Sequence, residues 1–201
     1  MQIELREIHE DVEETFVHVT HDQDEAFTLA DRIGIMNGGR LIQVGDPDEV
    51  YESPKNRFIE GFLGDTNFIT GEVTNVSDNS IVVDTALGTE FTIPTEREPQ
   101  LNSGDTLTLS LRPEILSIVP PTVEQPILAD GSAPNKVYGT VESVIYRGST
   151  VRYSVTSGDA SIFVERRVTG NGSLDSGDDI GIEWDGHDVL AFYPNGSRVD
   201  L

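Results

Sequence analysis

The sequence predicts an α+β segment followed by an all-β region, and three observations carry that reading. Helical and strand patterns alternate up to about residue 63, whereas from Phe68 onward short apolar/polar alternations follow one another at close spacing. Clusters of Gly, Asn, Asp and Ser separate those alternations, as turns between strands require. The second half of the β region also repeats the first. The predicted division is 1–64 and 65–201, the latter built from repeats 68–120 and 137–201 joined by a proline-rich linker.

In the first segment, Thr15-Phe16-Val17-His18-Val19 is β-branched, aromatic and alternating, which predicts a short buried strand. Asp22 and Glu25 stand three apart as a carboxylate capping pair and predict a helix over Gln23 to Arg32. His21 is therefore expected at a strand tip, in the turn before a helix, where α/β folds present side chains to ligands. Arg32 to Met36 and Arg40 to Val44 read as a hairpin around Asn37-Gly38-Gly39. Asp46-Pro47-Asp48-Glu49 predicts an N-cap and a helix from Pro47 to about Ser53, with Val50 and Tyr51 on its apolar side. Asn56 to Leu63 predicts another short helix carrying Phe58, Ile59, Phe62 and Leu63.

Strands are predicted in the β region at 72–76, 80–84, 90–93 and 106–111, with turns at Asp78-Asn79, Leu87-Gly88 and Ser103-Gly104-Asp105. Four prolines with Gly131 and Ser132 mark 120–136 as linker or irregular loop. Gly139 to Val144 then matches Gly71 to Val76, Ser176-Gly177-Asp178 matches Ser103-Gly104-Asp105, and Asp188 to Pro194 matches Glu114 to Pro120. Each half is too small to bury a face alone, so the pair is expected to form one barrel-like domain.

Composition narrows the function classes. The chain carries 36 acidic against 13 basic residues, a formal charge of −23, spread along its whole length. That field repels nucleic acid and anionic lipid. Only two basic residues, Lys55 and Lys136, are lysines. Diffuse acidity with few lysines resembles proteins of salt-loving archaea, where screening over about 3 Å at molar salt relieves self-repulsion. There is no cysteine, hence no disulfide or thiolate site. No apolar run approaches the ~18 residues of a membrane span, and no His/Asp/Glu spacing fits a metal site.

The phrase Thr20-His21-Asp22-Gln23-Asp24-Glu25-Ala26, with Ala30-Asp31-Arg32-Ile33 and the hairpin and helices after it, resembles the switch-histidine region of ATP-binding-cassette (ABC) import ATPases. The resemblance implies that His21 is the switch histidine, which reaches the γ-phosphate of ATP and helps position the attacking water. It would thus be both a catalytic and an ATP-contacting residue. Residues 1–64 would be the C-terminal remnant of the α/β nucleotide-binding domain, and Met1 to Leu5 resembles the helix after its catalytic glutamate strand.

The sequence holds no G-x-x-x-x-G-K-[ST], no Leu-Ser-Gly-Gly-Gln and no strand ending in Asp-Glu. The chain is therefore expected to correspond to the C-terminal part of a longer ATPase. The full-length family protein uses ATP and Mg²⁺; this chain alone is expected to hold neither and to hydrolyse no ATP.

Leu111-Arg112-Pro113-Glu114 and Tyr146-Arg147-Gly148-Ser149 resemble motifs of the tandem oligonucleotide-binding-type (TOBE) barrel domain of such ATPases. The family implies a homodimer with a second ATPase subunit, permease subunits in the membrane, and a cytoplasmic, peripheral location without direct membrane insertion. Asp65-Thr66-Asn67-Phe68 and Tyr146 to Ser149 look most like the polyamine (spermidine/putrescine) branch, although iron(III), thiamine, sugar and sulfate branches share the architecture.

The competing reading is a stand-alone oxyanion-binding barrel pair. Those proteins open with a Ser-x-Arg-Asn type segment, where this chain has Asp65-Thr66-Asn67. Arg112 to Glu114 is expected to be a structural turn and Trp184 a core or barrel-edge residue. His9, His18 and His187 are expected at surface or strand positions.

Overall fold

The computed structural model describes residues 14–97, 99–121, 133–168 and 174–201. The chain divides into two compact units between Leu63 and Gly64. Met1 to Leu5 and His9 lie outside the described residues, as does most of the predicted linker.

In the first unit, α1 (Gln23–Leu29) opens where the capping pair predicts, with Asp22 Oδ1 accepting the Glu25 amide hydrogen bond at 3.0 Å. It stops three residues short of Arg32, because Ala30 turns extended and the chain must reach the sheet by Ile33. Strands β1 (Ile33–Asn37) and β2 (Arg40–Gly45) form an antiparallel hairpin. Its two turn glycines have φ of +56° and +74°, the left-handed pair that a tight hairpin demands.

Helices α2 (Pro47–Glu52) and α3 (Arg57–Phe62) follow, the latter capped by Asn56 Oδ1 on the Ile59 amide at 3.0 Å. Buried Gln43 donates to Ser53 O at 3.0 Å and accepts from the Lys55 amide at 2.8 Å, fixing the hairpin to the α2–α3 connection. Ile33, Ile35, Val50, Ile59 and Leu63 form the core, with Ala26, Phe27 and Tyr51 packed against it.

One expectation fails here. Residues 15–19 form no strand: Val17 and Val19 are 87% and 89% exposed, and no strand among the described residues pairs with them. β-propensity alone makes no strand where no described strand lies alongside to pair with it. In α3, Ile59 and Leu63 face the core while Phe58 and Phe62 stack on each other largely exposed, with centroids 6.0 Å apart.

The second unit contains two five-stranded antiparallel sheets. One is built from β3 (Asn67–Val76), β4 (Ser80–Thr85), β5 (Glu90–Pro94), β6 (Thr106–Leu111) and β12 (Leu190–Phe192), in the order β12-β6-β3-β4-β5. The other is built from β7 (Ser117–Val119), β8 (Asn135–Tyr146), β9 (Thr150–Ser157), β10 (Ala160–Arg167) and β11 (Asp179–Trp184), in the order β10-β9-β8-β11-β7. The repeats exchange their last strands: β7, from the first, pairs with β11, and β12, from the second, pairs with β6. Strand β8 starts at Asn135, inside the stretch read as loop.

The repeated residues have matching physical tasks. Thr74 in β3 and Glu142 in β8 are the bulged residues of their strands. Ser103 Oγ donates to Thr74 O at 3.2 Å and Ser176 Oγ to Glu142 O at 2.9 Å, so each bulge carbonyl is satisfied by the serine of a Ser-Gly-Asp turn. Gly104 and Gly177 take φ of +94° and +99° there, and the aspartates accept the Asn102 and Asp175 amides at 2.8 Å each. Gly71 and Gly139 are required for a different reason. A Cβ on either would come within 2.5 Å of the neighbouring strand.

One core spans both repeats, including Ile69, Phe91, Leu109, Tyr153, Ile162 and Ile182. Trp184 lies in it, edge-on to Phe91 at 4.6 Å, as a core residue. Two buried asparagines, equivalent in the repeat, join the halves. Asn67 Nδ2 donates to Leu111 O (3.0 Å) and Phe163 O (2.8 Å), and its Oδ1 accepts the Phe163 amide (2.7 Å). Asn135 clamps Thr92 the same way, through Nδ2 to O at 2.8 Å and N to Oδ1 at 2.7 Å. Each asparagine thus satisfies the outer edge of the other repeat's edge strand, β10 or β5.

Candidate functional site

His21 is exposed in the bend directly before α1. The bend is tied locally: the Asp22 amide donates to Thr20 Oγ1 at 3.0 Å, and the Ala26 amide donates to Asp22 O at 3.2 Å. Gln23 Nε2 donates to Phe62 O at the end of α3. His18 Nε2 lies 3.1 Å from Glu25 Oε2. Hydrogen bonds from Thr20 and then His18 hold the Glu25 carboxyl below its ordinary range, and the charges of His18 and His21 act in the same direction, while partial burial opposes them.

A cleft of about 780 Å³ opens beside His21, lined by the extended residues before it and by Ala26, Ile33, Met36 and Leu41. Its apolar walls and the imidazole of His21 can position a group but hold no phosphate by themselves, since among the described residues no Lys or Arg other than Arg32 lines it. No group of three or more His, Asp or Glu capable of holding a metal occurs among the described residues. For the Mg²⁺ and ATP that the family resemblance implies, the described residues here offer the exposed imidazole of His21 and no metal-ligand set.

The second unit gathers charges from motifs far apart in sequence. Arg147 Nη1 and Arg152 Nη2 both approach Asp65 Oδ2, at 3.1 Å and 2.6 Å. Arg152 also reaches Glu165 Oε2 at 3.1 Å and lies over the Phe163 ring. Hydrogen bonds from Arg152 first, then Arg147, hold the Asp65 carboxyl below its usual range against the effect of burial. Asp65 and Arg147 belong to motifs the sequence singles out; Arg152 and Glu165 carry no signal in a single sequence.

The tetrapeptide Tyr146 to Ser149 forms a strand-to-strand turn, with Gly148 at φ +78° and the Arg147 amide donating to Thr150 O at 2.8 Å. Arg112 to Glu114 forms a turn whose Pro113 carbonyl accepts the Glu165 amide at 2.9 Å. His18 is paired with Glu25, and His187 is paired within its own turn, with Nδ1 2.8 Å from Asp185 Oδ1.

A buried ion pair was not legible in the sequence. Lys136 and Glu183 face each other directly across β8 and β11, with Nζ to Oε1 at 2.9 Å and both residues buried. The Glu183 contact raises the Lys136 ammonium above its ordinary pKa even though burial opposes it. Gly181 leaves room for the lysine stem, since a Cβ there would lie 3.1 Å from its Cε.

The family model of the TOBE domain matches residues 109–192. The spermidine/putrescine import ATP-binding protein PotA of Thermobifida fusca is 36% identical over 187 residues, covering 92% of this chain and 46% of that protein. PotA of Trichodesmium erythraeum is 40% identical over 79% of this chain and 42% of its own length. PotA of Rubrobacter xylanophilus is 34% identical over 94% and 48%. The chain spans about half the length of the curated relatives it matches. Among solved structures, the cytoplasmic molybdate-binding protein ModG, in a crystal form with molybdate bound, superposes with a TM-score of 0.51 at 14% identity. That superposition covers 64% of this chain and 96% of the other.

Proposed function

We propose, for a chain that carries a TOBE domain and matches the C-terminal part of spermidine/putrescine import ATP-binding proteins over most of its length, that it is the corresponding part of the energy-coupling ATPase subunit of an ABC importer. The observation that carries this reading is the match over 92% of the chain, which takes in both the His21 segment and the β repeats. Polyamine is the substrate class the relatives' names support. The partners are a second ATPase subunit and membrane permease subunits. No helix among the described residues is long and apolar enough to cross a membrane.

His21 is assigned as the residue that contacts the γ-phosphate and orients the attacking water. Its place in an exposed bend, anchored at Asp22 and Gln23, supports that role by presenting the ring to solvent from a fixed backbone. Phosphoryl transfer calls for positioning and for stabilising charge on the equatorial oxygens, and a single imidazole can do both. ATP itself would be held by residues upstream of this sequence.

Oxyanion binding is the weaker reading. The likeness to ModG carries the fold alone at its level of identity. In this chain Asp65 occupies both Arg147 and Arg152, so neither guanidinium is left open to an anion.

The test is hydrolysis by a longer protein in which this chain is joined in frame to the N-terminal half of a matching relative. His21→Ala should lower turnover by roughly 10²-fold or more, the scale of losing one transition-state contact, while ATP affinity changes little. His18→Ala and His187→Ala should stay near full turnover. Full turnover by His21→Ala would remove the assignment.

A further inference from the structure

Resting on the assignment of His21, we infer that Gln23 is a positioning residue that sets the His21 bend by binding the last carbonyl of α3. Two features of the structure make this contact more than incidental. The final carbonyls of a helix lack intrahelical partners and must find others. The Leu63 amide is bonded to Ile59 O, and no backbone donor among the described residues reaches Phe62 O. The carboxamide of Gln23, thirty-nine residues away in sequence, supplies the hydrogen bond.

The donor sits at the first residue of α1, two positions after His21. The opposite side of the same turn is held by Asp22, whose Oδ1 takes the Glu25 amide and whose amide is held by Thr20 Oγ1. The His21 bend is thus fixed within its own segment by Asp22 and fixed to the rest of the unit by Gln23. Packing holds α1 further along, where Phe27 lies edge-on to Tyr51 with ring centroids 5.8 Å apart. α1 has no fully buried residue, and only Ala26, Phe27 and Ala30 lean on the core. Phe62 itself is largely exposed, so its carbonyl rather than its ring is what the bend is held to.

The geometry also separates this role from helix stability. Glutamate at the first turn of a helix is favourable to the helix dipole and to propensity, yet it cannot donate to Phe62 O. Gln23→Glu keeps size and shape, removes the donor and adds a carboxylate, so it is read together with an uncharged variant. Gln23→Leu removes both polar groups without adding charge.

In the joined ATPase, Gln23→Glu and Gln23→Leu are expected to lower kcat by about 5- to 10-fold, the scale of one lost hydrogen bond, with the KM for ATP within twofold of the parent. In the 201-residue chain, the Glu25 and Ala26 amides of both variants should exchange with solvent at least fivefold faster, while amides of β3 to β12 keep their rates. Parent-like kcat in both variants, in an enzyme that His21→Ala inactivates, overturns the inference. Unchanged exchange at Glu25 and Ala26 overturns it as well. If His21→Ala keeps full turnover, the functional assignment falls, and the exchange rates alone decide whether Gln23 holds the bend.

Discussion

Asn67→Ala should be among the most costly single truncations of a polar side chain in the second unit. The side chain makes three hydrogen bonds of 2.7–3.0 Å, two to Phe163 in β10 and one to Leu111 in β6. Truncation strands one amide and two carbonyls. A buried group left without its partner costs about 1–3 kcal/mol. Phe163 lies on an edge strand and is 41% exposed, so water can reach part of the wound and each loss falls near the lower limit. The expected total is about 2–4 kcal/mol.

Urea unfolding followed by fluorescence of the only tryptophan, Trp184, reads this directly, since that residue lies in the core shared by both repeats. Asn135→Ala, which strands only the amide and carbonyl of Thr92, should cost less. Asn75→Ala, on the exposed face of the same strand as Asn67, is the control. An Asn67→Ala midpoint indistinguishable from that control would refute the idea that the asparagine clamp closes the sheet edge.

Three further outcomes are expected. Lys136→Met should destabilise by about 3–5 kcal/mol because it leaves Glu183 buried and unpaired, whereas Lys136→Met with Glu183→Leu should recover most of that loss; both are read by the same unfolding curves. Asp65 has a folded pKa below its unfolded value, so its contribution is present above about pH 4 and is lost as pH falls through the folded value. Asp65→Asn should therefore flatten the acid limb of stability against pH, by a modest amount given the exposure of the carboxylate. With a formal charge of −23, the melting temperature should rise between 0.1 M and molar salt, and a flat salt series would contradict self-repulsion as a controlling term.

Much of the fold is legible in the amino-acid sequence, and the places where reading fails share a cause. Alternation identifies a strand but not its neighbour, so the strands near 80–84 and 106–111 are legible while the exchange of β7 and β12 is not. Helical spacing allows two adjacent i, i+4 pairs in α3, and only packing decides that Ile59 and Leu63 face inward rather than Phe58 and Phe62. Thr15 to Val19 has every local mark of a strand, and no described strand lies beside it to complete a ladder. Asn67 and Asn135 look like ordinary turn residues, and their signal is visible only when the repeats are aligned, each four residues before a repeat glycine. In the candidate site, the capping pair places His21 before a helix correctly, but nothing in the spacing of Gln23 and Phe62 announces that they meet.

Exchange of the final strands sets an order of events during synthesis. The sheet begun by residues 67–111 waits for Leu190 to Phe192, which leave the ribosome about eighty residues later. Until then, one edge of β6 is open, and the chain must hold a loop of that length for closure; the entropic cost of such a loop grows only slowly with length, but the search it imposes is slow. A premature stop shortly before Leu190 would therefore injure the part of the domain that was made first. The first repeat would emerge from the ribosome with a vacancy that only the far end of its own chain fits.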